Sequence, residues 1–103
     1  MAKAKFDGVV EAVHYQPDGQ VAWVRAYVRR GATFSDHVLL DRQAIIELLK
    51  SGKRYLSGQR VPLRASTFET GDALRVLQKN DREVLVVGEI ETDRDRLEGV
   101  PII

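Results

Sequence analysis

The chain has 103 residues, 16 Lys+Arg against 15 Asp+Glu, 44% hydrophobic residues and no cysteine. That is enough for one hydrophobic core with little left for a second, and it excludes disulfide frameworks, thiol catalysis and cysteine-based metal sites. No apolar run approaches membrane-spanning length, and Met1-Ala2-Lys3-Ala4-Lys5 lacks the apolar stretch of a signal peptide, so a cytoplasmic domain is expected.

The first predicted elements are three meandering strands. Phe6–Tyr15 and Val21–Arg30 are rich in Val, Ala and aromatic residues, and they flank Gln16-Pro17-Asp18-Gly19-Gln20. Pro, Asp and then Gly in that order describe a type I turn followed by a glycine bulge. Pairing Gln16 with Gln20 sets Glu11 opposite Arg25 and Asp7 opposite Arg29, a register favoured by opposite charges across the strands. Gly31-Ala32 suits a two-residue turn that pairs Arg30 with Thr33 and starts a third strand, Thr33–Leu40.

Asp41 then offers an N-cap, and Gly52 stands where a helix ends. Between them Ile45, Leu48 and Leu49, flanked by Ile46, make one apolar stripe opposite Gln43, Glu47 and Lys50. β character returns with Arg60–Phe68, where Pro62 suggests an edge or a strand start. Asp72–Lys79 and Glu83–Ile90 form a hairpin about Asn80-Asp81, residue types that tolerate positive φ. Val84-Leu85-Val86-Val87 is apolar on both faces, the pattern of a doubly buried strand.

The expected class is α+β, mainly antiparallel β: a small, partly open barrel or curved sheet of about six strands, with one helix between strands 3 and 4. Residues 1–90 are expected to form one domain, with the helix near 42–51, and 91–103 a charged, flexible C-terminal tail. The order of elements resembles that of the OB-fold over about residues 5–90, and an SH3-like barrel fits nearly as well. The OB-like order implies oligonucleotide binding on strands two and three.

Under the chosen registers one sheet face carries Gly8, Val10, Ala12, Val24, Ala26 and Leu39, with His14 and His37, and this is the expected core side. The other carries Val9, Val13, Trp23, Tyr27, Phe34 and Val38 among Glu11, Arg25, Arg29 and Asp36. Aromatic rings interleaved with arginines suit single-stranded nucleic acid, since each stacked base contributes about 1–3 kcal/mol. The candidate binding residues are Trp23, Arg25, Tyr27 and Arg29, with Lys53, Arg54, Arg60 and Arg64 as auxiliary phosphate contacts. Two other readings fit the same residues. The face can serve packing, with the arginines consumed by Glu11 and Asp7, or it can be a protein interface, a homodimer included.

The near-zero net charge hides a polarity. Arg42, Lys50, Lys53, Arg54, Arg60 and Arg64 stand against the single acid Glu47, whereas Glu89, Glu91, Asp93, Asp95 and Glu98 dominate the end. The acidic stretch is expected to be a solubilising extension or to fold over the basic segment. Catalytic chemistry has little support. Ser35-Asp36-His37 contains triad residue types, but strand neighbours point to alternate sides, and no P-loop, dinucleotide fingerprint or His-Glu-x-x-His occurs. A non-enzymatic binding module without metal or cofactor is the expectation.

Overall fold

A computed structural model of the chain describes residues 6–30, 33–35, 37–60, 68–79, 81–89, 92 and 94–103. Its elements are β1 (Gly8–Tyr15), β2 (Val21–Arg30), β3 (Thr33–Phe34), β4 (Val38–Asp41), α1 (Arg42–Lys50), β5 (Tyr55–Arg60), β6 (Phe68–Lys79) and β7 (Arg82–Val87). The strands form one sheet in the order β3-β2-β1-β5-β6-β7, with β4 also on β2. β3 and β4 lie end to end along the same edge of β2, so they count as one interrupted strand. Six strands result, antiparallel throughout except where β5 joins β1, and the helix falls between the third and the fourth.

Turn and cap chemistry act where the residue types predict. Gln16 N–H donates to Gln20 O (2.7 Å), Gly19 N–H donates to Gln16 O (2.9 Å), and Gly19 takes φ +92°. Asp41 accepts the Ala44 N–H at 2.8 Å, which satisfies one free donor of the helix start. At the other end Lys53 N–H bonds Leu48 O and Gly52 N–H bonds Leu49 O, with Gly52 left-handed at φ +98°. These bonds make a Schellman stop. Asp81 carries the positive φ (66°) of the β6–β7 turn. The proposed Gly31-Ala32 turn lies outside the described residues, but Arg30 does pair with Thr33.

The core is built between the sheet and one side of α1. Val10, Val13, Val24 and Ala26 pack with Ile45, Ile46, Tyr55, Leu74, Leu85 and Val87. Val84 and Val86 are buried as well, so β7 is covered on both faces as its four apolar residues predict.

Two expectations need correction. The strand expected over Arg60–Phe68 lies outside the described residues except at its two ends, and those pair with each other across β5 and β6. The strand after the helix begins at Tyr55, where the small polar run Ser57-Gly58-Gln59 hides the β pattern. The second correction concerns sheet faces, and β-bulges cause it. Glu11 is an extra residue in β1 and Ala22 in β2, so the register slips by one and then recovers. A further slip separates Arg29↔Phe34 from Ala26↔Val38. Since side chains alternate with period two, each slip exchanges faces. Val13 therefore turns into the core and His14 out of it, while Leu40 packs against the core and Leu39 and His37 are exposed.

The strand ladder does not close into a barrel. The C-terminal segment spans the opening between β7 and β1: Arg96 N–H donates to Leu85 O (2.8 Å), Val13 N–H to Pro101 O (2.9 Å), and Ile103 N–H to Val13 O (2.9 Å). Leu97 and Val100 from this segment are buried in the core, and Leu97 N–H donates to the Tyr15 hydroxyl at 3.0 Å. Among the described residues no helix is long and apolar enough to cross a membrane.

Candidate binding surfaces

The face opposite the helix holds Trp23, Arg25, Tyr27 and Arg29, alternate residues of β2, as their spacing predicts. Its two halves differ in exposure. Around Tyr27, 6% exposed, the hairpin of β5 and β6 brings in Phe68, with ring centroids 5.2 Å from Tyr27 and 4.8 Å from Phe34. Phe6 adds a further contact to Phe34 at 5.7 Å. The sheet crosses here at Gly58, where a Cβ would stand 2.4 Å from Glu69 O and 3.1 Å from the Val9 side chain. This half is a small second core. Arg29 is integrated into it: its Nε donates to Phe6 O at 3.0 Å, and its guanidinium lies 5.2 Å from the centre of the Phe34 ring.

The other half is open. Trp23, half-buried, stacks on the exposed His14 with centroids 5.0 Å apart and planes 16° from parallel. His14 Nδ1 donates to the Ile103 carbonyl at 2.8 Å, which fixes that tautomer and ties the C-terminal segment to the stack. Leu39 sits opposite Arg25 in the β2–β4 register and diagonal to Trp23, and it is 61% exposed. Ile103 is 47% exposed at the far side. An apolar stripe therefore runs across the strands through Leu39, Trp23, His14 and Ile103.

Electrostatics within the stripe are balanced. Arg25 Nε donates to Glu11 Oε2 at 2.7 Å, the Tyr27 hydroxyl donates to Oε1 at 3.2 Å, and His37 Nε2 stands 3.7 Å from Oε2. The predicted Glu11–Arg25 pair thus forms, with the bulge moving Arg25's backbone partner to Ala12.

The auxiliary residues divide differently. Lys53 and Arg54 line a groove of about 340 Å³ with Leu49, Lys50, Ala73, Leu74, Arg75 and Val76, none of them on the Trp23 face. Arg60 has its backbone in β5, but its side chain lies outside the described residues, as does all of Arg64. Lys50 belongs to the same basic segment as Lys53, whereas Arg75 is an addition that the sequence reading did not group with them. Only the β6 register brings Arg75 beside the helix end.

A second cleft, about 230 Å³, surrounds Arg42 and Asp95 and is lined by Asp18, Arg82, Glu83 and Arg94. Its inner groups hold the fold together. Asp95 accepts from Arg42 Nε (2.8 Å) and Nη2 (3.1 Å), and from the backbone N–H groups of Val21 (2.8 Å) and Leu85 (3.0 Å). Burial disfavours its charged form, but the Arg42 hydrogen bond and the two N–H donors outweigh that and hold the carboxyl below its ordinary value. Among the described residues no group of three or more His, Asp or Glu side chains is arranged to hold a metal ion. No family model matches the chain, and no curated protein or solved structure is significantly similar to it.

Proposed function

We propose that this protein is a non-enzymatic binding module that associates with a second copy of itself through the stripe of Leu39, Trp23, His14 and Ile103. The observation that carries this reading is the combination of exposed apolar side chains with a neutralised arginine: Leu39 and Ile103 flank Trp23, and Glu11 meets Arg25 in their midst. In a two-fold dimer the same patch faces itself, so a charged patch would repel its copy and a balanced one does not. Contiguous exposed apolar surface marks a partner site more often than chance. Sedimentation equilibrium tests the reading. A dimer is expected for the natural chain and a monomer for Leu39→Glu, and a natural chain that stays monomeric at the highest concentration reached refutes it.

Oligonucleotide binding on this face is the second reading, and the flat His14–Trp23 stack beside Arg25 favours it. Trp23 is the only tryptophan, so its fluorescence reports directly. Quenching by a single-stranded oligonucleotide that fades steeply with salt supports this alternative. It then strengthens in Glu11→Gln, which releases the charge of Arg25.

A further inference from the structure

We propose that the open edge of β4 pairs antiparallel with the same edge of a second copy, centred on Leu39, so that the two sheets run on into one. This rests on the self-association proposed above and gives its geometry: the stripes of the two copies join end to end at Leu39. The first observation is the backbone. β4 lies along β2 at the end of the strand order, and among the described residues no strand pairs with its other edge. Ser35 N–H donates to Val28 O on this side of β2, whereas Arg29 N–H donates to Asp7 O on the β1 side. By alternation Ala26 and Val24 also direct their peptide groups toward β4, where Val38 and Leu40 meet them. Those of Leu39, and the N–H of Asp41, therefore point outward. His37, Leu39 and Asp41 are all exposed, Leu39 by 61%, so the edge is uncovered at these positions.

The second observation is the side chains, which identify the occupant. A two-fold axis through Leu39 sets Leu39 opposite its copy, Val38 opposite Leu40 and His37 opposite Asp41. The centre is apolar and no like charges meet, the condition for a favourable antiparallel pair. Neither outer residue gives up its present contact: Asp41 caps the helix through Oδ1, and His37 stays beside Glu11. The Leu39 pair exchanges both of its main-chain bonds, and each Asp41 N–H reaches the His37 carbonyl opposite. Solvent-exposed edges are commonly blunted by Lys or Pro, and Val38-Leu39-Leu40-Asp41 contains neither. A foreign strand would share the main-chain bonds alone; the matched side chains belong to the copy.

The test compares amide hydrogen exchange of the full chain at concentrations where sedimentation shows monomer and dimer. Exchange at Leu39 and Asp41 is expected to slow roughly tenfold in the dimer, while Val38 and Leu40, already bonded to β2, change little. Leu39→Pro removes the outward N–H at a position where an edge strand tolerates proline, and it is expected to be monomeric. Leu39→Val keeps both the edge and an apolar side chain, and it is expected to remain dimeric. A dimer whose Leu39 and Asp41 amides exchange as fast as in the monomer overturns the edge geometry and leaves association through the stripe standing. So does a dimeric Leu39→Pro. A natural chain that stays monomeric refutes both. Should Leu39→Pro fail to fold, the exchange comparison decides alone.

Discussion

Arg42, in the first turn of the helix, and Asp95, in the C-terminal segment, are 53 residues apart and meet through two hydrogen bonds of 2.8 and 3.1 Å. Asp95 is 7% exposed and also takes the N–H groups of Val21 and Leu85. One carboxylate therefore ties the helix, β2 and β7 to the segment that spans the open side of the sheet.

Removing one partner of a buried, hydrogen-bonded pair leaves the other charge and its donors uncompensated. Asp95→Ala is expected to cost about 3 kcal/mol, the lower end for such pairs because Arg42 keeps some solvent contact. The melting temperature then falls by roughly 12–24 °C for a domain of this size. A loss below about 1 kcal/mol in urea unfolding would show that the pair is not a structural lock.

The same group sets an acid limit. The folded-state pKa of Asp95 is below its ordinary value of 3.8, so the unfolded chain binds its proton first. The stabilisation is complete above that value and is lost as pH falls through the lower folded value. Unfolding free energy measured from pH 5 downward is expected to decline from about pH 4, and less steeply in Asp95→Asn. Parallel curves for the two proteins would assign the acid sensitivity elsewhere.

Leu97 is 3% exposed and packs in the core, although the sequence around it reads as a charged extension. Leu97→Ala is expected to cost about 2–4 kcal/mol, as for other buried leucines. A frayed segment would lose nothing, so chemical denaturation separates the two cases.

Gly58 lies where the hairpin of β5 and β6 crosses the outer face. A methyl group there would meet Glu69 O at 2.4 Å, and a backbone atom cannot swing aside. Gly58→Ala is expected to destabilise by about 1–3 kcal/mol and to loosen the Tyr27–Phe34–Phe68 cluster, seen as lost near-ultraviolet dichroism. Retained stability with an unchanged aromatic spectrum would show that the crossing is not tight.

Local chemistry was legible in the residues themselves. Pro17-Asp18-Gly19, the Asp41 cap, the Gly52 stop and the positive φ of Asp81 each act over a few neighbours, where side-chain type and φ preference decide. The helix stripe and the doubly apolar Val84–Val87 strand were legible for the same reason: periodicity survives whatever the partners are. The Glu11–Arg25 pair followed from turn length and charge together, and the gathering of Trp23, Arg25, Tyr27 and Arg29 on one face followed from their alternate spacing in β2.

What the sequence by itself determined is the helix, the order of strands about it, and the placing of Trp23, Arg25, Tyr27 and Arg29 on one face. Only the tertiary structure decided which parts of the face stay open. Three one-residue slips reverse Val13, His14, His37 and Leu39, and a bulge leaves no compositional mark because the ladder of partners creates it. The cover over Tyr27 comes from Phe68, 41 positions away, and the groove at Lys53 depends on Arg75 from another strand. Asp95 reads as one acid among several until Arg42, Val21 and Leu85 converge on it. Burial and charge pairing are properties of contacts between distant segments, and those are set by packing of the whole chain.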